Sequence, residues 1–89
     1  MLYELFIERR AEKDLKKVDA SLFSLIVEKI KSLSENPHPA GSRKLSGSQN
    51  DWRIRIGDYR VLHEIDNKAR TIKIMRVKHR REVYRDYWS

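Results

Sequence analysis

Apolar positions recur along the chain with two different periods, and the change of period divides it. From Leu2 to Glu8 the run LYELFIE alternates, with Tyr3, Leu5 and Ile7 on one side and Glu4 and Glu8 on the other, which predicts a strand. From Arg9 to about Val18 the spacing lengthens: Ala11, Leu15 and Val18 recur at helical intervals among Glu and Lys. Ser21 reads as the N-cap of a second helix, whose apolar stripe is Leu22, Leu25, Ile26, Ile30 and Leu33. Asn36-Pro37-His38-Pro39 ends that helix, because proline cannot continue it and restricts the residue before it. The two helices form a hairpin with one apolar side.

Residues 40–51 are rich in Gly, Ser, Asn and Gln around Lys44-Leu45, a loop with room for one short extended stretch. Strand periodicity then dominates. Trp52, Ile54 and Ile56 alternate with Arg53 and Arg55, and Tyr59, Val61, His63 and Ile65 alternate with Arg60, Leu62 and Glu64. Gly57-Asp58 between these runs is a two-residue turn signal with Gly first, suited to a tight hairpin. Asp66-Asn67-Lys68-Ala69 turns the chain again, and Thr71 to Val77 is a further strand with Ile72 and Ile74 on one side. The expectation is a single α+β domain over residues 1–89. Its order is β-α-α-β-β-β, with the helical hairpin packed on a twisted antiparallel sheet.

Composition narrows the chemistry. A chain of 89 residues with 39% hydrophobic and 37% charged residues supports a small core, so its chemistry belongs on a surface or in a shallow groove. The absence of cysteine excludes disulfide scaffolds, thiolate metal sites and cysteine nucleophiles. No run approaches the roughly 18 apolar residues of a membrane span, and the opening Met-Leu-Tyr-Glu-Leu does not read as a signal peptide; a reduced, cytoplasmic setting is expected. His38, His63 and His79 lack metal-ligand spacing, so neither metal nor cofactor is expected.

Charge is segregated. The formal +7 comes from 20 Lys+Arg against 13 Asp+Glu; residues 1–42 are balanced, with 7 of each sign, and the whole excess lies beyond them. If Gly57-Asp58 fills the turn, Ile56 faces Tyr59, Arg55 faces Arg60, Ile54 faces Val61 and Arg53 faces Leu62. Arg53, Arg55 and Arg60 then share one face of the sheet. Directly opposed like charges oppose pairing by a few tenths of a kcal/mol or more, so folding alone does not ask for them. Two readings are open: a solvated outer face covered by arginine stems, or a guanidinium cluster preorganised for phosphate. The C-terminal KHRREVYRDYWS favours the second, since cations interleaved with Tyr84, Tyr87 and Trp88 suit unpaired nucleic acid. Lys78, His79 and Arg85 of this tail, with Lys44 of the loop, are candidate RNA-binding residues.

Several runs are familiar: Asn36-Pro37 closing the second helix, Lys44-Leu45-Ser46-Gly47, the stretch WRIRIGDYRV from Trp52 to Val61, and VKHRREVY from Val77 to Tyr84. With Ala11, Asp14 and Leu15 of the first helix, they strongly resemble the RelE/ParE superfamily of toxins from prokaryotic toxin–antitoxin pairs. The RelE branch implies entry into the ribosomal A site and metal-independent cleavage of messenger RNA, the ribose 2′-OH attacking its own 3′-phosphate. The resemblance carries catalytic roles onto Arg53, Arg55, Arg60, one of Arg80 and Arg81, and Tyr84. It also implies a RelB-like antitoxin with an acid-rich amphipathic segment, contact with ribosomal RNA and message, and no membrane. Where some RelE toxins have lysine in the strand pair, this chain has arginine, which stays protonated. The proton acceptor is then Tyr84 or His79, or electrostatic stabilisation alone supplies most of the rate. A ParE-like, non-catalytic poison of DNA gyrase and an RNA-binding domain that does not cut are the other readings.

Overall fold

The computed structural model describes residues 2–82. The elements are strand β1 (Glu4–Ile7), helices α1 (Arg9–Leu15) and α2 (Ala20–Ser32), strands β2 (Arg43–Lys44), β3 (Asp51–Ile56), β4 (Tyr59–Asp66) and β5 (Thr71–His79), and a closing 3-10 turn (Arg80–Glu82). The loop around Lys44 therefore does supply a short strand. Helix α1 is shorter than its apolar spacing suggests: it stops at Leu15, and Val18 packs on the core from the connection. The cap of α2 is Asp19 rather than Ser21. Its carboxylate accepts the Ser21 N–H at 3.0 Å, leaving Ser21 inside the first turn.

The sheet order is β1-β5-β4-β3-β2. Strands β2 to β5 form an antiparallel meander, but β1 lies parallel to β5, with Leu5 opposite Ile72 and Ile7 opposite Ile74. The sheet is mixed, not wholly antiparallel. The helices carry the chain from β1 at one edge of the sheet to β2 at the other, and alternation along β1 carries no information about direction. A bulge shifts the β4–β5 register after Leu62, so that Ile74 and Val77 both turn inward although three residues apart.

The helices cover one sheet face. Ala11, Ile26, Ile30 and Leu33 meet Ile54, Ile56, Tyr59, Val61, Ile65, Ile72, Ile74 and Val77 in one buried cluster. Leu25 is not part of it: at 41% exposure it lies on the flank of α2, because Leu22, Ile26, Ile30 and Leu33 already fill the inward stripe. On the opposite face Leu45, Leu62 and Met75 form a small second cluster.

One carboxylate closes the edge where β1 runs out. Glu8 N–H reaches the Ile74 carbonyl at 2.9 Å, and beyond it β5 continues without β1. Asp14 of α1, 6% exposed, accepts the Val77 N–H at 2.9 Å and takes Arg76 in a fork, 2.9 Å to Nε and 3.2 Å to Nη2. Lys78 Nζ approaches the same carboxylate at 3.4 Å. Burial pushes the Asp14 carboxyl up, but Arg76, the Val77 N–H and Lys78 together outweigh it and hold it below its ordinary value. Among the described residues no helix is long and apolar enough to cross a membrane.

Asp14→Ala leaves Arg76 and the Val77 N–H without their acceptor, and should lower unfolding free energy by about 3 kcal/mol in urea denaturation. Asp14→Asn keeps one acceptor oxygen and should lose less. A second stability effect sits under β4. His63 is fully buried, and burial pushes its imidazole down to about 4 from 6.5. The unfolded ring thus takes up a proton between those values that the folded ring refuses, so stability falls as pH drops from 6.5 towards 4. The slope should approach about 1.4 kcal/mol per pH unit and flatten in His63→Leu, as read by denaturation at stepped pH. Asp14 titrates below this window, so the two contributions separate.

Candidate functional site

The β3–β4 turn sets the geometry. Gly57 has φ 58°, and no positive φ occurs at Asp58, the combination that a Gly-first two-residue hairpin turn requires. The register follows as expected, with Ile56 opposite Tyr59, Arg55 opposite Arg60, Ile54 opposite Val61 and Arg53 opposite Leu62. Cross-strand partners share a face, so the row continues outward through Arg43, opposite Arg53, and inward through Lys78, opposite Arg60. Guanidinium groups from three strands thus line the sheet face away from the helices.

These arginines are not equivalent. Arg53 is buried, 3% exposed, with Nη1 donating to the Gly41 carbonyl at 3.2 Å. Burial, then the charges of Arg55, Arg43 and Arg60, push it down to about 10, so it stays a cation near neutrality. Arg55 is exposed. Arg60 is half-buried; its Nη1 donates to the carbonyls of Gly57 at 3.4 Å and Tyr59 at 3.3 Å, while its buried Nε–H has no partner among the described residues. Burial, Arg55 and Arg80 all lower the Arg60 pKa, and Asp58 opposes them. Arg80 is tied to the hairpin tip, its N–H on the Asp58 carbonyl at 2.7 Å and its Nε 3.8 Å from the Asp58 carboxylate.

Other candidates are placed less favourably. Lys78 shares the face, but its ammonium contacts Asp14 at 3.4 Å and Glu82 at 3.7 Å. His79 Nδ1 accepts the Arg81 N–H at 3.2 Å, which leaves the proton of the neutral ring on Nε2. The ring stands edge-on to Tyr59, 5.2 Å between centroids. Arg81 is exposed in the 3-10 turn. Lys44 pairs with Trp52 and so belongs to the opposite side of the sheet from the arginine row. Tyr84 and Arg85 lie outside the described residues. Arg43 was not among the expected members: a two-residue strand has no alternation from which a face can be read. Asp14 and Arg76 were missed as a pair because 62 residues separate them.

The assembled row can grip a phosphodiester and stabilise charge growing on it. Arg55 and Arg60 offer donors from adjacent strands, with Arg53 a buried cation beside them along β3 and Arg80 at the hairpin tip.

Residues 5–84 match the family model described as the ParE toxin of type II toxin–antitoxin systems, parDE. Toxin RelG of Mycobacterium tuberculosis is 34% identical over 89 residues, spanning 96% of this chain and 99% of RelG. Toxin RelE3 of Methanocaldococcus jannaschii is 38% identical over 80 residues, spanning 85% and 88% of the two chains. Among solved structures, the archaeal RelE–RelB complex of Pyrococcus horikoshii superposes with a TM-score of 0.79 at 28% identity, covering 93% of this chain and 100% of the other. The RelBE2 toxin–antitoxin complex of Mycobacterium tuberculosis gives 0.77 at 28% identity, covering 89% and 99%. With a family model spanning nearly its whole length and RelE toxins as relatives in sequence and in fold, this chain is a RelE-like toxin of the RelE/ParE superfamily of type II toxin–antitoxin systems.

Proposed function

We propose that the chain is a messenger-RNA endonuclease that works in the ribosomal A site. The observation that carries this reading is Arg60: a buried guanidinium donor with no partner among the described residues, directly across the strand pair from Arg55. A buried unsatisfied donor costs about 1–3 kcal/mol. A phosphate taken up by the accessible part of the Arg60 side chain and by Arg55 would offset that cost.

In the proposed reaction the ribose 2′-oxygen attacks the adjacent phosphorus. The new O2′–P bond forms as the P–O5′ bond breaks, leaving a 2′,3′-cyclic phosphate and a 5′-OH. The 2′ proton passes to a base, and the departing 5′ oxygen takes up a proton. Arg55 and Arg60 hold the phosphate oxygens and stabilise the crowded, more highly charged transition state. Arg53, buried on the same face two residues along the strand, acts by field and position. Arg80, one of the cations that lower the Arg60 pKa, is the member of the Arg80–Arg81 pair assigned to the site. His79 cannot accept at Nε2 without exchanging the tautomer held by its bond to Arg81, so the proton acceptor is assigned to Tyr84. Arg80, Arg81 and Arg85 are its neighbours in the sequence, and cations close to a phenol favour the phenolate.

The proposed partners are a RelB-like antitoxin, on the strength of relatives solved in complex with RelB, together with ribosomal RNA and message in the cytoplasm. An acid-rich segment that orders on binding would neutralise the basic half of the chain. The second reading, a ParE-like poison of DNA gyrase, is favoured by the description of the family model.

Primer extension on messages from cells producing the protein should show cuts within codons. Arg60→Ala should reduce them by about 10²–10³-fold. Unchanged cuts would refute the role of Arg60, and broken DNA with intact messages would favour the gyrase reading. The same groups oppose folding, so Arg55→Gln should raise unfolding free energy by a few tenths of a kcal/mol. Thermal denaturation should show that gain shrinking as salt is added.

A further inference from the structure

We propose that a cleft beside the arginine row is a base-binding subsite for the nucleotide next to the phosphate held there. The inference rests on the RNA-cleaving reading of that row. The cleft, about 110 Å³, lies between the C-terminal half of α2 and the chain entering β2, with Lys29, Pro39, Ala40, Ile54, Arg55 and Ile56 among its lining. Strand β2 pairs with β3 at Trp52 and Arg53 only, so β3 runs on past it, and the cleft opens along this projecting segment. One wall is fixed by the row itself, because the Gly41 carbonyl accepts from the buried Arg53 guanidinium.

The lining chemistry points to a nucleotide. Ile54 and Ile56, both buried, supply an apolar floor, Pro39 adds a flat apolar flank, and Lys29 and Arg55 place positive charge at opposite sides. Among the described residues no carboxylate lines the cleft. An occupant with an apolar face and a negatively charged backbone fits such a site, and unpaired RNA presents that combination at every residue. The row faces away from the helices and Ile54 and Ile56 face them, so a strand whose phosphate rests on Arg55 and Arg60 reaches the cleft by passing round the edge of β3 that β2 leaves uncovered, where Arg55 lines both.

The test uses the isotope-labelled chain titrated with a mixed-sequence hexaribonucleotide and, separately, with inorganic tripolyphosphate. RNA should shift the amide signals of Ala40, Gly41 and Ile54, whereas tripolyphosphate, which has no bases, should move the row and leave Ala40 and Ile54 in place. Ala40→Trp, at an exposed position, should fill the cleft and weaken RNA binding roughly tenfold while tripolyphosphate binding is unchanged. Equal shifts with both ligands, no shift at Ala40 with RNA, or undiminished RNA affinity in an Ala40→Trp chain of normal melting temperature would overturn the subsite. Cleft shifts produced by an acidic peptide but not by the hexanucleotide would overturn it in favour of a protein occupant. Failure of the nuclease reading is visible separately, as absence of cuts in ribosome-bound message, while RNA shifts in the cleft would still uphold the subsite.

Discussion

The two-residue turn at Gly57-Asp58 is the constraint on which the working face depends. A strand pair slipped by one residue exchanges every inward side chain for an outward one, so the turn that places Ile54 and Val61 in the core also aligns Arg55 with Arg60. Core and cation row are therefore two faces of one register. A slip that relieved the arginines would bury them, which makes the register self-correcting: charge repulsion is accepted because the alternative register would put charged side chains in the core.

That repulsion has to be contained, and the fold does so on both flanks. Within the row, Arg53 is taken out of solvent and tied to the Gly41 carbonyl. Leu45, Leu62 and Met75 place a small apolar cluster on the same face. At the outer flank of β5, Asp14 gathers Arg76, Lys78 and the Val77 N–H around one carboxylate. Two cations of the basic half are thereby structural. Net charge therefore overstates the positive surface that the basic half presents to a polyanion.

Much of this was legible in the sequence because it is local. Alternation and a turn dipeptide fix β3, β4 and their facing residues without any tertiary information, and the helical stripe through Leu22, Ile26, Ile30 and Leu33 is equally direct. What escaped has the opposite character. The parallel pairing of β1 with β5, the Asp14–Arg76 fork and the shared face of Arg43 each join segments far apart in the chain, and no periodicity encodes them. The burial of Arg53 was hidden for a related reason: alternation assigns a face, while exposure on that face depends on the loop at Gly41 that folds over it.

Burial also separates roles that a motif treats alike. Arg53 and Arg55 sit two residues apart on one strand and one face, yet one is sealed against a carbonyl and the other is exposed. A buried cation contributes a field that water screens poorly, while an exposed one supplies donors that must first shed water to grip an oxygen. Arg60 lies between these limits, with one nitrogen bound to main-chain carbonyls and another buried without a partner among the described residues. Its carbonyl bonds orient the guanidinium plane without a ligand, so under the proposed function little ordering would remain to oppose phosphate binding. In a domain of 89 residues, such preorganisation comes from the sheet itself, whose paired strands hold the guanidinium groups in register.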